Sequence, residues 1–170
     1  ATFDQVQTMI EDPRVQGVSV TGSERAGATV AAIAGRALKK CVLELGGSDP
    51  FIVLDGNSRE LARTAWEFRT SNMGQACNSN KRMIVLHKLY DEFVSELVSL
   101  AEQQSDIAPM SSRAAAENLA AQVADAVDKG ATLHVGGVLG DAPTAFYTPA
   151  VLTGVSPGMR AYTEELFGPV

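Results

Sequence analysis

VQGVSVTGSERAGATVAAIAGRALKKCVLEL, the stretch from Val15 to Leu45, decides the fold. It opens on a β-branched run, Val15 to Val20, which reads as a buried strand. Thr21-Gly22-Ser23 follows as a turn. Ser23 reads as the N-cap of an alanine-rich helix that reaches about Leu38. Cys41 to Leu45 then returns as a second short apolar strand. Strand, helix and strand at this spacing form a βαβ unit, and such units build parallel sheets.

The same alternation continues outward. Phe3 to Glu11 reads as a short helix, with Phe3, Val6, Met9 and Ile10 on one face and Pro13 beyond its end. Downstream, Phe51 to Leu54 is a strand, Ser58 to about Ser71 a helix, and Arg82 to Leu86 a strand. Leu89 to about Gln103 is an amphipathic helix with Phe93, Leu97 and Leu100 inward. Ser111 to Lys129 is a helix that starts on a serine cap and stops at Gly130. Ala131 to Val135 is a strand, and Tyr147 to Leu152 is extended around Pro149. The pattern predicts an α/β fold, a mostly parallel sheet with flanking helices. The joint between domains is expected at Glu44 to Gly47, which divides the chain into residues 1–44 and 45–170.

Composition narrows the function. The chain has 170 residues, 45% hydrophobic and 20% charged, as in an ordinary globular domain. Its net charge of −6 argues against a nucleic-acid groove, which needs clustered Lys and Arg. No stretch approaches the roughly 18 apolar residues of a membrane span, and no basic-then-apolar leader precedes the first helix. Cys41 and Cys77 are too few for a disulfide framework, so a reducing cytoplasm is the expected location. The chain starts at Ala1 without Met and stops at Val170, directly after Phe-Gly-Pro, and it reads as a piece of a larger protein.

Three places could carry chemistry. The turn Thr21-Gly22-Ser23 between strand and helix offers backbone N–H groups and a helix N-terminus to an anion. Gly22 permits close approach, and Gly27 on the first helical turn leaves room. A plain N-cap on a small-residue helix explains the same residues. Cys77 lies in the polar turn Gly74-Gln75-Ala76-Cys77-Asn78-Ser79-Asn80, an unusual place for an inert thiol. At the N-terminus of a turn or helix a thiolate is stabilised and nucleophilic; an incidental thiol is the plainer reading. Cys41, inside a strand, reads as core. Glu44 is the only acid between Cys41 and Gly47. A carboxylate ending a buried strand is costly unless paired or functional, and a desolvated one suits a general base. A strand-end glutamate that reaches solvent is the alternative. Glu164 and Glu165 read as a solvated acidic pair. No His, Cys or Asp spacing resembles a metal site.

Four segments in order resemble the aldehyde dehydrogenase superfamily. They are Val20-Thr21-Gly22-Ser23 with Gly27, Leu43-Glu44-Leu45-Gly46-Gly47-Ser48-Asp49-Pro50, Asn72-Met73-Gly74-Gln75-Ala76-Cys77 with Arg82, and Glu164-Glu165-Leu166-Phe167-Gly168-Pro169-Val170. The wording from Gly46 to Leu54 is most similar to bacterial succinate-semialdehyde dehydrogenases. The resemblance implies the end of a Rossmann-like cofactor domain followed by an incomplete catalytic domain, with a small-molecule aldehyde as substrate and NAD or NADP as cofactor. It makes Cys77 the nucleophile, with its own backbone N–H as one oxyanion donor, and Glu44 the base that activates water against the resulting thioester. Gly22, Ser23 and Gly27 would lie along the cofactor pyrophosphate. Glu165 would contact the ribose or nicotinamide side, with Phe167 packing nearby.

The resemblance also implies parts this chain lacks: a second oxyanion donor and the adenosine contacts upstream, and a strand for homo-oligomerisation downstream. A longer segment than Ala101 to Pro109 is expected there. Well-studied succinate-semialdehyde enzymes hold the distal carboxylate with an Arg six residues before the nucleophile; that position is Ser71 here, and the nearest Arg is Arg69. Ser79 replaces the second Cys that some relatives use as a redox switch. The isolated chain is expected to be silent. The alternatives are a coenzyme-A-acylating dehydrogenase or reductase on the same fold, which Glu44 argues against, and a non-catalytic domain.

Overall fold

The computed structural model describes residues 2–170. It divides into two compact units, one running up to Gly47 and the other from Ser48 to Val170.

The first unit is a single βαβ layer. Helix α1, Phe3–Glu11, starts on a reciprocal cap: Thr2 Oγ1 accepts from the Gln5 N–H at 3.3 Å, and Gln5 Oε1 accepts from the Thr2 N–H at 2.8 Å. Strand β1, Gly17–Gly22, and strand β2, Lys40–Leu45, run parallel, from Gly17 opposite Lys40 to Gly22 opposite Leu45. Helix α2, Glu24–Arg36, connects them in a right-sized crossover and is capped by Ser23. It stops two residues short of the predicted end because Leu38 takes a left-handed turn at φ 55°. Ile10, Ile33 and Ala34 form the core, with Val6, Val18, Val30 and Cys41 packed on it.

Two expectations fail here for one reason. The run from Val15 was expected to be a buried strand, yet β1 alternates exposed and half-buried residues. The strand carrying Glu44 was expected to be buried, yet Val42, Leu43 and Glu44 are exposed. Within residues 2–47 helices cover one face of this two-stranded sheet and no element covers the other, so apolar content alone does not report the burial of these strands here.

The second unit holds the rest. Strand β3, Asp49–Val53, pairs in parallel with β4, Asn80–Val85. Between them run helix α3, Ser58–Thr70, capped by Asn57, and a 3₁₀ turn, Ser71–Gly74. Helix α4, His87–Gln103, lies on α3. Val53, Ala62, Ala65, Trp66, Phe93 and Leu97 fill the space between helices and sheet. The paired Arg59–Glu92 and Arg63–Glu96 mark the solvated side of the two helices. Helix α5, Arg113–Asp128, is capped by Ser112. Strands β5, Thr132–Val135, and β6, Val151–Thr153, pair antiparallel, and the short helix α6, Arg160–Thr163, follows. A second core around Leu119, Tyr147, Met159 and Leu166 seats the C-terminal segment. Two of the three strand pairs are thus parallel. Among the described residues no helix is long and apolar enough to cross a membrane.

Candidate active site

The turn that carries Cys77 is built on unusual backbone. Asn72 (φ 50°, ψ 35°) and Met73 (φ 55°, ψ 34°) are both left-handed, and Gly74 follows at φ 68°. Asn tolerates this region; Met does not, at a cost of about 1–3 kcal/mol that the surroundings must override. They do so in several ways. Met73 is buried. Asn72 Nδ2 donates to the Gln75 carbonyl and Gln75 Nε2 to the Asn72 carbonyl, each at 3.2 Å. Gln75 Oε1 accepts from the Ser111 N–H at 2.8 Å, tying the turn to the start of α5. Gly74 lies against the Gly168 carbonyl so closely that a Cβ there would collide with backbone.

Arg69 is the anchor beneath the turn. Its side chain is 1% exposed. Nε donates to the Val170 carbonyl at 2.6 Å, and Nη1 to the Ser79 hydroxyl at 2.6 Å and the Gly74 carbonyl at 3.4 Å. Nη2 donates to the Leu166 carbonyl at 2.5 Å and also to the Gly168 carbonyl. Burial lowers its pKa to about 10, with the Glu165 charge acting the other way, so it stays protonated at neutral pH. Every donor is committed to this chain, so Arg69 does not stand in for the arginine that would grip a substrate carboxylate. Ser79, where some relatives have a second Cys, is one of its partners.

Cys77 itself is an exposed free thiol at the tip of a turn closed by the Ser79 N–H donating to the Ala76 carbonyl at 3.2 Å. Cys41 is half-buried against the core of the first unit. Behind Cys77, Lys81 Nζ donates to the carbonyls of Ala76 and Cys77, each at 2.9 Å, and of Ser79 at 3.2 Å. The same ammonium stands 3.0 Å from Glu165 Oε1 and 6.0 Å from the centre of the Phe167 ring.

Glu164 and Glu165 are therefore not a solvated pair. Glu164 is held below the usual carboxylate range by Arg160 and then by Gln122. Glu165 points inward to Lys81, because the chain on either side is drawn down by Arg69 and by the buried Leu166 and Pro169. Phe167 alone in this segment turns outward, 41% exposed.

The residues assigned to the pyrophosphate lie in the first unit. Ser23 Oγ accepts from the Ala26 N–H at 3.3 Å, which leaves its proton free to donate. A Cβ on Gly22 would meet only the Ala26 Cβ, at 3.9 Å, so the protein itself does not require a glycine there. Gly27 is different. A Cβ on it would strike Leu45 at 2.5 Å, so its missing side chain seats α2 on β2 and leaves no room for a ligand, contrary to the sequence reading. Glu44 is exposed opposite Thr21, at the C-terminal ends of two parallel strands, where such sheets bind ligands.

Sequence reasoning missed Arg69 and Lys81 as site residues. A signal for Arg69 was present: Ala62, Ala65, Trp66 and Arg69 share one helical face, and the first three are core. A cavity of about 470 Å³ in the second unit reaches these two cations: Arg69 and Lys81 line it together with Met83, Phe93, Val151 and Tyr162, whereas Cys77 and Phe167 do not. Among the described residues no three His, Cys, Asp or Glu side chains gather as a metal site.

Each unit by itself offers groups that suit part of a nicotinamide dinucleotide. In the first, Gly22 leaves space and the Ser23 hydroxyl can donate to a phosphate oxygen; in the second, Glu165 Oε1 is buried without a hydrogen bond and Phe167 is exposed.

A succinate-semialdehyde dehydrogenase [NADP(+)] of Deinococcus radiodurans is 55% identical over 97% of this chain and 37% of its own length. The solved structure of Gox0499 superposes at a TM-score of 0.92 with 44% identity, covering 99% of this chain and 39% of that one. The succinic semialdehyde dehydrogenase of Streptococcus pyogenes, solved with NADP+ as the cofactor, superposes at 0.91 with 40% identity, covering 99% of this chain and 39% of that one. The chain thus spans a little over a third of the length of the relatives it matches. The model of the aldehyde dehydrogenase family matches residues 3–170, and with the fold in agreement the chain belongs to that family.

Proposed function

We propose that the chain is part of an NADP-dependent succinate-semialdehyde dehydrogenase. Residues 1–44 would close the cofactor domain, and residues 45–170 would form most of the catalytic domain. The carrying observation is Cys77: an exposed thiol on a strained turn that is held from below by buried cations. The relatives named above favour succinate semialdehyde and NADP over other aldehydes and NAD.

The Cys77 sulfur, deprotonated, attacks the aldehyde carbon and the carbonyl π electrons move to oxygen. The Cys77 backbone N–H stabilises that oxyanion. A bound nicotinamide cofactor supplies the acceptor for the hydride that leaves the adduct. The carbonyl re-forms, and Cys77 carries a thioester. Glu44 takes a proton from water, the hydroxide adds to the thioester carbon, and the thiolate leaves as the acid forms. Gly22 and Ser23 would hold the pyrophosphate, and Glu165 and Phe167 would contact the nicotinamide end. The reaction is placed in the cytoplasm, in a homo-oligomer.

The test is steady-state NADP+ reduction by the full-length enzyme with succinate semialdehyde, with and without coenzyme A. Cys77→Ala is expected to lower kcat by about 10⁴-fold or more, and the product is succinate whether or not coenzyme A is present. Retained turnover in Cys77→Ala, or a coenzyme-A-dependent product, overturns the reading.

A further inference from the structure

Lys81 is a lysine in the wrong place for an ordinary one. Its side chain is 1% exposed, and an ammonium is rarely buried so fully unless something there needs its charge. An ammonium has three N–H donors. All three serve one short stretch, the carbonyls of Ala76, Cys77 and Ser79. Nothing is left for a directed bond to Glu165. Its Oε1 sits 3.0 Å away, buried and without a hydrogen bond, held by charge alone. The ammonium also stands over the ring of Phe167, 6.0 Å from its centre.

We infer that Lys81 is a positioning residue that sets two halves of the chemistry at once: its hydrogen bonds shape the turn presenting Cys77, and its charge orients Glu165 towards the cofactor. The inference rests on the roles proposed above for Cys77 and Glu165. The two contacts are of different kinds, so they separate by substitution. Lys81→Met removes both. Lys81→Arg keeps the charge and can keep the contact with Glu165, but its planar fork cannot reproduce three bonds from one nitrogen.

The experiment uses the full-length enzyme. NADP+ affinity is read by fluorescence quenching, and alkylation of Cys77 by iodoacetamide is read without cofactor by peptide mass spectrometry, with Cys41 as internal control. Lys81→Met is expected to weaken NADP+ binding about tenfold and to change the Cys77 alkylation rate about tenfold, leaving Cys41 unchanged. Lys81→Arg is expected to restore NADP+ affinity but not the Cys77 rate. In a Glu165→Gln background, Lys81→Met is expected to add nothing to the loss of NADP+ affinity while still altering Cys77. Effects on NADP+ affinity that multiply in the double variant, or a change in Cys77 matched by Cys41, overturn the inference. If Lys81→Met does not fold, Lys81→Gln tests the charge arm. It loses the charge and keeps two donors, so it is expected to weaken NADP+ binding about tenfold with a smaller change at Cys77 than at NADP+, and unchanged NADP+ affinity overturns the inference. These readouts do not depend on turnover, so a failure here is distinct from retained turnover in Cys77→Ala.

Discussion

The turn around Cys77 and the strand end around Glu44 are held in opposite ways. The first rests on a buried guanidinium and a buried ammonium, which bind the Ser79 hydroxyl and backbone carbonyls drawn from two distant segments. The second lies exposed on a two-stranded sheet covered by helices on one face. The nucleophile proposed here must be held to within a fraction of an ångström of its productive geometry, and the contacts that hold its turn lie within residues 48–170. The proposed base acts through a water, which tolerates looser support.

That contrast is broken most forcefully by Arg69→Met. It removes a charge whose partners, chiefly backbone carbonyls, stay buried, so it is expected to cost about 3–5 kcal/mol of stability in urea unfolding. A loss below about 1 kcal/mol would show that the turn is held by packing alone. A smaller effect sharpens the comparison through two glycines. Gly74→Ala places a Cβ against the Gly168 carbonyl at a left-handed φ, and backbone cannot step aside. Gly27→Ala meets the end of the Leu45 side chain, which can rotate, so it is expected to cost about 1–3 kcal/mol, less than Gly74→Ala. Thermal unfolding of the two variants side by side checks the order, and the reverse order contradicts the account.

Much of the fold was legible because local signals agree with it. Ser23 and Ser112 cap helices as the sequence suggested, and Gly130 follows the end of α5 at positive φ. The βαβ spacing predicted the parallel pair β1–β2. What the sequence hid was burial. Val42 and Leu43 look like core residues but are exposed within this chain. Arg69 looks like a surface residue, yet its partners at Leu166 and Gly168 are 97 and 99 positions away, a distance no local pattern reports. Gly27 shows the same limit. A small residue near a helix start suggests room for a ligand, and only the packing reveals that Leu45 fills the space. The motif around Cys77 was readable as chemistry; for the two cations that hold it the only signal was the helical face that Arg69 shares with core residues, because most of their partners are backbone carbonyls and carry no residue signature.

The most direct measurement is acid-quenched peptide mass spectrometry of the full-length Glu44→Gln variant, mixed with succinate semialdehyde and NADP+. With the base removed, hydrolysis is expected to slow by about 10²–10⁴-fold, and the peptide containing Cys77 should accumulate a succinyl thioester while one equivalent of NADPH forms in a burst. Full turnover with no acyl group on Cys77, or an acyl group on Cys41 instead, would contradict the assignment of both residues.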